Sequence, residues 1–208
     1  LAVLEQRSSS GDAEVDAMLH EANTLAQLLR KRRFDRGSLN LDMPELHVVT
    51  DDHGLPIDVE QEESDISHQL IEEFMLAANE AVAHALNARS IPTVYRVHEA
   101  PDPAKLQEFA GQLKTYGIPA GSLATREELA RVMERIRGHV DEPLLKVSLL
   151  RCMMRACYSP KALGHYGLAK GDYCHFTSPI RRYADLLVHR GFCRLNGGKS
   201  PHLPQLPS

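Results

Sequence analysis

HFTSPIRRYADLLVHR (175–190) carries the strongest local pattern in this chain of 208 residues. Thr177 and Ser178 are residue types that cap helices, and Pro179 suits the first helical position because its missing N–H needs no partner there. An apolar stripe at helical spacing follows, formed by Ile180, Tyr183, Ala184, Leu187 and Val188. The pattern therefore predicts a helix that begins at about Ser178.

Two arginines, Arg181 and Arg182, fall in the first turn of this predicted helix. A helix N-terminus is already positive, so basic residues there need a compensating partner. An anion held jointly by the helix start, the hydroxyls and the guanidinium groups would supply it, because phosphate binds at such positions and Arg recognises it bidentately. A pair between Arg181 and Asp185 is the alternative, and it needs no ligand.

Basic residues are concentrated in the C-terminal part of the chain. Residues 151–200 contain nine Lys and Arg against two Asp, although the whole chain has a net charge of −4. This split predicts a phosphate-bearing partner for the C-terminal third, with a solvated basic face as the alternative. Four aromatic residues lie nearby, and we expect one or two of them to stack on bases and the rest to be core: Tyr158, Tyr166, Tyr173 and Phe176.

The overall composition, 43% hydrophobic and 25% charged, is that of an ordinary globular protein of one or two domains. The chain starts at Leu1, without a leader or an apolar run long enough to span a bilayer, so we expect a fragment of a cytoplasmic, monomeric protein with no membrane partner. The four cysteines form no close pairs, which favours reduced thiols. A zinc site that includes Cys174 and His175 is the alternative.

Upstream of this segment the patterns alternate between helices and short strands. Helical spacing predicts helices over residues 15–37 and 64–88. Residues 46–50 and 56–60 flank the turn DDHG (51–54), which predicts a hairpin. We interpret the acidic residues of this turn as backbone partners, with metal binding as the alternative.

The middle of the chain contains a strand and three further helices. Residues 93–97 are predicted to form the strand, and Asp102 with Pro103 opens a helix that ends near Gly117. The spacing of Thr125 and Glu128 is that of a capping box, and another helix is predicted over 142–157. Together the elements predict an α+β fold in which mixed strands are backed by several helices.

Several stretches, in the same order, resemble one enzyme family. The segment 175–190 resembles the C-terminal signature of the RNB catalytic domain of the ribonuclease II and ribonuclease R family, and similar stretches cover nearly the whole chain. They are RKRRFDRGSLNLDMPE (30–45), SHQLIEEFMLAANEAVAHAL (67–86), IPTVYRVHEAPDPAKLQEF (91–109) and YSPKALGHYGLAKGDY (158–173). The resemblance implies that residues 1–195 are part of an RNB domain and that 196–208 are a linker or a truncated tail.

The resemblance also implies an activity: hydrolysis of single-stranded RNA from its 3′ end to nucleoside 5′-monophosphates, with Mg²⁺. Arg181 matches the family's catalytic arginine, and Glu72 matches a glutamate along the RNA path, with Glu73 as its nearest competitor. Arg182, Ser178 and Tyr183 belong to the same motif as Arg181, with support or phosphate contact as their implied role. Leu41 stands where many relatives have a phenylalanine that stacks on the terminal base.

The chain departs from the family in its metal ligands. The family's closely spaced aspartates have no counterpart here, so the resemblance places the Mg²⁺ ligands in a missing N-terminal part and implies that this chain alone is inactive. The resemblance also leads us to expect that the family's cold-shock and S1 domains lie outside this stretch of sequence. Two rivals therefore stay open: a non-catalytic RNA-binding module or degenerate relative, and a scaffold with no nucleic-acid role.

Overall fold

The computed structural model describes residues 1–5, 7–39, 45–62 and 65–198. The chain divides into two compact units: the first is Leu1–Arg30 with Leu41–Phe74, and the second is Lys31–Asn40 with Met75–Ser208. The α+β prediction is confirmed. The elements of the described residues are α1 (Ala13–Asp35), β1 (Glu45–Thr50), β2 (Pro56–Glu62), α2 (Ile66–Ala88), β3 (Tyr95–Val97), α3 (Pro103–Thr115), α4 (Arg126–Ile136), α5 (Glu142–Cys152), β4 (Cys157–Ser159) and α6 (Tyr183–Leu195).

The first unit contains the predicted hairpin. β1 and β2 pair antiparallel, with Val48 opposite Val59 and a bulge between Val49 and Thr50. In the turn, the Asp51 carboxylate accepts hydrogen bonds of 2.9 Å from the backbone N–H groups of His53 and Leu55. This confirms the interpretation of Asp51 as a turn residue. Its carboxylate acts as the hydrogen-bond acceptor for backbone N–H groups of the turn.

The core of the second unit is built where side chains of α2 and α6 meet those of β3. β3 pairs antiparallel with β4, and Val97 lies opposite Cys157. The buried side chains that form this core are Val82, Ala83, Leu86, Tyr95, Val97, Cys174 and Val188. Since Cys174 belongs to this core, the chain that leads into residues 175–182 starts from a fixed point.

Helices α3, α4 and α5 form a helical group within the second unit. The predicted caps are confirmed: Asp102 accepts a hydrogen bond from the N–H of Ala104 at 2.9 Å, and the Thr125 hydroxyl accepts one from Glu128 at 3.2 Å. The Glu128 carboxylate reaches back and accepts a hydrogen bond from the N–H of Ala124 at 3.0 Å.

The predicted end of α5 at residue 157 is wrong. The helix ends at Cys152, and Met153 takes an extended conformation. Cys157 and Tyr158 instead continue the sheet, because β3 offers unpaired backbone groups on its edge. In the part of the chain described, no helix is long and apolar enough to cross a lipid bilayer.

Candidate functional site

Asn79 on α2 fixes the segment that precedes the two arginines. It is 3% exposed, and its side chain bonds to two partners from the distant segment 173–176. Its Nδ2 donates to the Tyr173 hydroxyl at 3.1 Å, and its Oδ1 accepts from the N–H of Phe176 at 2.9 Å. The carbonyl of Phe176 is 2.8 Å from Nε2 of His189 on α6. Both backbone groups of Phe176 are thus satisfied by side chains of α2 and α6, which holds this segment in one place.

The turn after this segment differs from the helix that was predicted. α6 begins at Tyr183 with Arg182 as its extended N-cap, so the prediction of a start at Ser178 is wrong. Residues 179–181 form a turn instead, in which Arg181 and Arg182 both donate their backbone N–H to the carbonyl of Ser178 at 3.3 Å. Ile180 is 97% exposed, so the predicted apolar stripe has nothing to pack against at this end.

Asp185 explains why α6 does not begin at Ser178. Its carboxylate is fully buried and accepts a 2.7 Å hydrogen bond from the N–H of Ser178. It also accepts two from Arg182, at 2.8 Å from Nε and 3.0 Å from Nη2. Burial by itself raises the pKa of Asp185, but the bonds from Arg182 and Ser178 outweigh it and hold the pKa below its ordinary value. The alternative interpretation, a pair between Asp185 and Arg181, is wrong, because Asp185 binds Arg182.

Arg181 is left on the outside of the turn. It is exposed and forms no ion pair with a carboxylate among the residues that the structure describes. Tyr183, the next motif residue, is 61% exposed. The two arginines therefore have different situations: Arg182 is neutralised by Asp185, whereas Arg181 presents a charge with five hydrogen-bond donors to solvent.

His175 lies beside this turn and is held neutral. Burial, with the positive charge of Arg182 next in importance, lowers the pKa of His175 to about 4. Its Nδ1 is 2.8 Å from the hydroxyl of Tyr158, which is 45% exposed and has the guanidinium of Arg96 over its ring, 5.0 Å from the centroid. Tyr158 is thus the exposed member of the four aromatic residues, while Tyr173 is 5% exposed and belongs to the interior.

The two candidate glutamates lie on α2 within the first unit. Nη1 of Arg30 is 3.7 Å from a carboxylate oxygen of each, Glu72 and Glu73. The side chain of Glu72 is 43% exposed and that of Glu73 is 3% exposed. Only Glu72 is therefore accessible to a ligand in solution.

Leu41 lies outside the described residues, so its predicted role has no structural counterpart here. Among the residues with described positions, no three His, Cys, Asp or Glu side chains converge in a way that could hold a metal ion. Mg²⁺ therefore has no fitting ligand set in the described part of this chain.

Sequence reasoning considered Asp185 only as a partner of Arg181 and His175 only as a zinc ligand, and it missed Asn79. Asp185 stands three residues after Arg182, a spacing that brings side chains together on a helix, so this signal was available. Asn79 has no comparable signal in the sequence, because its hydrogen-bond partners are more than ninety residues away.

Comparison with known proteins gives consistent results. The family model of the RNB domain matches residues 2–194. Ribonuclease R of Aquifex aeolicus (strain VF5) is 40% identical over 174 residues, which cover 83% of this chain and 25% of that protein. The solved structure of Mycoplasma genitalium RNase R in complex with ribose methylated single-stranded RNA has a TM-score of 0.86 at 31% identity, covering 92% of this chain and 31% of that chain.

A more distant likeness is limited to the fold. Yeast Ssd1, a pseudonuclease, has a TM-score of 0.68 at 23% identity, covering 97% of this chain and 25% of that one. The chain spans about a quarter of the length of the curated relatives it matches.

Proposed function

Since this chain belongs to the RNB domain family, we propose that it is the arginine-bearing part of a 3′-to-5′ exoribonuclease acting on single-stranded RNA. In this proposal residues 1–195 contribute to the catalytic domain and 196–208 form a linker. The parent protein would act as a monomer in the cytoplasm, where the free thiols of the described chain remain reduced.

The proposal rests on the difference between the two arginines within residues 178–185. Asp185 binds Arg182 and the N–H of Ser178, and Arg181 is thereby displayed on a short, fixed turn. A guanidinium without a carboxylate partner among the described residues keeps its donors for an oxyanion, and Arg binds phosphate oxygens bidentately. We assign Arg181 to the scissile phosphate and Arg182 and Ser178 to its support.

Hydrolysis to nucleoside 5′-monophosphates breaks the bond between phosphorus and the 3′ oxygen of the preceding nucleotide. Water adds to phosphorus, and the departing 3′ oxygen is protonated. Negative charge on the non-bridging oxygens increases in the transition state, and Arg181 would donate hydrogen bonds to those oxygens. Mg²⁺ would activate the water in the parent enzyme, but the described residues do not fit the ion, so this chain's part is the phosphate contact.

Three other residues are assigned to the RNA path. Glu72, with its partly exposed carboxylate, would accept hydrogen bonds from ribose hydroxyls, while buried Glu73 would hold Arg30 in place. Tyr183 would offer its exposed ring to a base.

A chimera tests this proposal. The matching residues of Aquifex aeolicus ribonuclease R would be replaced by this chain, and release of 5′-mononucleotides from a labelled RNA would be followed with Mg²⁺. We expect the chimera to shorten the RNA from its 3′ end. A folded chimera that binds the RNA and does not cleave it would reject the catalytic assignment.

The second candidate is a non-catalytic RNA-binding module, favoured by the lack of a metal ligand set in the described part of the chain. It predicts the latter outcome, with affinity that falls log-linearly with salt concentration because phosphate contacts release counterions. Binding that is independent of salt would exclude both nucleic-acid functions.

A further inference from the structure

A second cluster of polar side chains surrounds a pocket of about 470 Å³ in the second unit. None of the residues that line it belongs to the turn at residues 178–182. Its polar lining is His98, Glu99, Arg126, His165, Tyr166 and Lys170. Ala162 and Leu163 supply part of the apolar wall. The pocket combines apolar surface with a few polar groups, which is the composition of small-molecule sites.

The pocket wall is fixed by backbone hydrogen bonds. His98 donates its N–H to Gly164 at 3.0 Å and accepts from Tyr166 at 2.8 Å, while His165 donates to Lys170 at 2.8 Å. The His98 ring accepts a hydrogen bond from the N–H of Gly167 at 3.1 Å. Gly164 has a φ of +83°, and a Cβ there would come within 3.2 Å of the Lys170 carbonyl, so the loop closes tightly against itself. The site is therefore built in advance of any ligand.

Arg126 is the cation of this pocket that lacks a carboxylate. Its Nε is buried without a hydrogen-bond partner among the described residues, and no acidic side chain of that part of the chain forms an ion pair with it. Packing holds it instead: its guanidinium lies over the Tyr166 ring, 4.6 Å from the centroid, and its stem covers Gly37 so closely that a Cβ there would be 2.8 Å from Cδ. Its charge is fixed in place and available.

The other charged residues limit what the pocket can accept. Lys170 is engaged by Glu80, although an ammonium has three donors and can serve a second acceptor. Exposed Glu99 also lines the pocket and disfavours a ligand that is anionic along its whole length. The volume exceeds what a bare phosphate fills, since pockets of about 300–1,000 Å³ hold organic ligands. A ligand with one anionic end and a neutral ring-bearing end satisfies these conditions.

We propose that this pocket binds a nucleotide, with the phosphate on Arg126 and the sugar and base along the wall formed by His165 and Leu163. The nucleotide can be a free nucleoside monophosphate or one unit of an RNA strand, since both present the same chemistry. A site for a free mononucleotide goes beyond the proposed nuclease activity, whereas a site for one unit of an RNA strand rests on it.

The test is calorimetric titration of this chain with 5′-AMP, adenosine and inorganic phosphate. We expect AMP to bind at least tenfold more tightly than either part of it. Arg126→Met keeps the apolar stem over Gly37 and removes the cation, so AMP affinity should fall at least tenfold, as expected for loss of a charge-assisted hydrogen bond. Arg131→Met removes an exposed charge from the same helix and should leave the affinity within twofold.

Two further measurements identify the source of the nucleotide and guard against misfolding. Displacement of AMP by a single-stranded oligonucleotide would show that an RNA unit enters the pocket, and a lack of displacement would assign it to the free mononucleotide. Arg126→Lys, which retains a charge, should recover part of the affinity. The proposal is overturned if neither AMP nor RNA affinity depends on Arg126 in variants that unfold at the wild-type temperature. Because calorimetry needs no RNA cleavage, a chimera that binds RNA without cleaving it would reject the nuclease proposal and leave this result standing.

Discussion

Arg182 and Arg126, both in the second unit, are each held in a fixed position, but by different means. Arg182 is bound through two hydrogen bonds to the buried carboxylate of Asp185. Arg126 is sandwiched between Gly37 and Tyr166, with no carboxylate partner among the described residues. A carboxylate that positions a guanidinium also neutralises its charge. Packing positions a guanidinium without neutralising it, so the charge can still bind a ligand. We therefore expect Arg182 to matter for stability and Arg126 for binding.

The largest effect is expected where the buried carboxylate is removed. Asp185→Ala leaves Arg182 without its partner, so the free energy of unfolding should fall by about 3–5 kcal/mol in urea denaturation. The double variant Arg182→Met with Asp185→Leu should recover most of this loss, because no uncompensated charge remains. A loss below about 1 kcal/mol for Asp185→Ala would contradict the role given to the pair.

The next effect separates Arg181 from its neighbour. In the chimera with Aquifex aeolicus ribonuclease R, Arg181→Ala should lower turnover by about a hundredfold or more, because a transition-state donor is lost. Its stability should stay within about 0.5 kcal/mol of the parent, since the residue is exposed and unpaired among those described. Single-turnover cleavage and urea denaturation measure the two quantities. An unchanged rate would remove Arg181 from the catalytic assignment.

Gly37→Ala tests whether packing is what holds Arg126. Gly37 has a φ of +84°, so an alanine there should cost about 1–2 kcal/mol of stability, and its methyl group would displace the Arg126 stem. Gly117→Ala is the matched control, because Gly117 has a φ of +70° with nothing within 4 Å of the added Cβ. Both should be destabilised, but only Gly37→Ala should weaken AMP binding. Equal AMP affinity in the two variants would mean that Arg126 does not depend on this contact.

The smallest effect concerns pH. Burial lowers the pKa values of His165 and His175 to about 4, below the ordinary value of 6.5. Between pH 6.5 and 4 the unfolded chain takes up protons that the folded chain does not, so stability should decrease as the pH falls through this window and level off below it. His175→Gln should make the urea midpoint less dependent on pH. Parallel curves for wild type and His175→Gln would reject this cause.

Sequence patterns predicted the elements whose causes are local. The helical spacing of residues 66–88 and the cap at Thr125 depend on side chains a few positions apart, and both are present as expected. The start of α6 could not be predicted in this way. Pro179 and Ser178 satisfy the local rules for a helix start, but the buried Asp185 carboxylate captures the Ser178 N–H, and Ile180 finds no apolar neighbour.

The candidate site could likewise be predicted only where a local motif defines it. Arg181 followed from a motif, and its exposure on the turn fits the predicted phosphate contact. The contacts that hold the surrounding chain in place, such as Asn79 with Phe176, join residues far apart in sequence, so no local pattern contains them. Arg126 was invisible for the same reason, since its position depends on Gly37 and Tyr166.

The Arg182–Asp185 pair also limits which substitutions this sequence can accept during evolution. Loss of either partner leaves the charge of the other uncompensated, while simultaneous exchange of both for apolar residues leaves no such charge and removes only the acceptor of the Ser178 N–H. Single substitutions at positions 182 and 185 are thus intermediates of low fitness, and the two positions should change together or remain fixed across lineages. Arg126 carries no such coupling to an acidic residue of the described chain, so its replacement is limited by its packing on Gly37 and Tyr166 and by the ligand it serves.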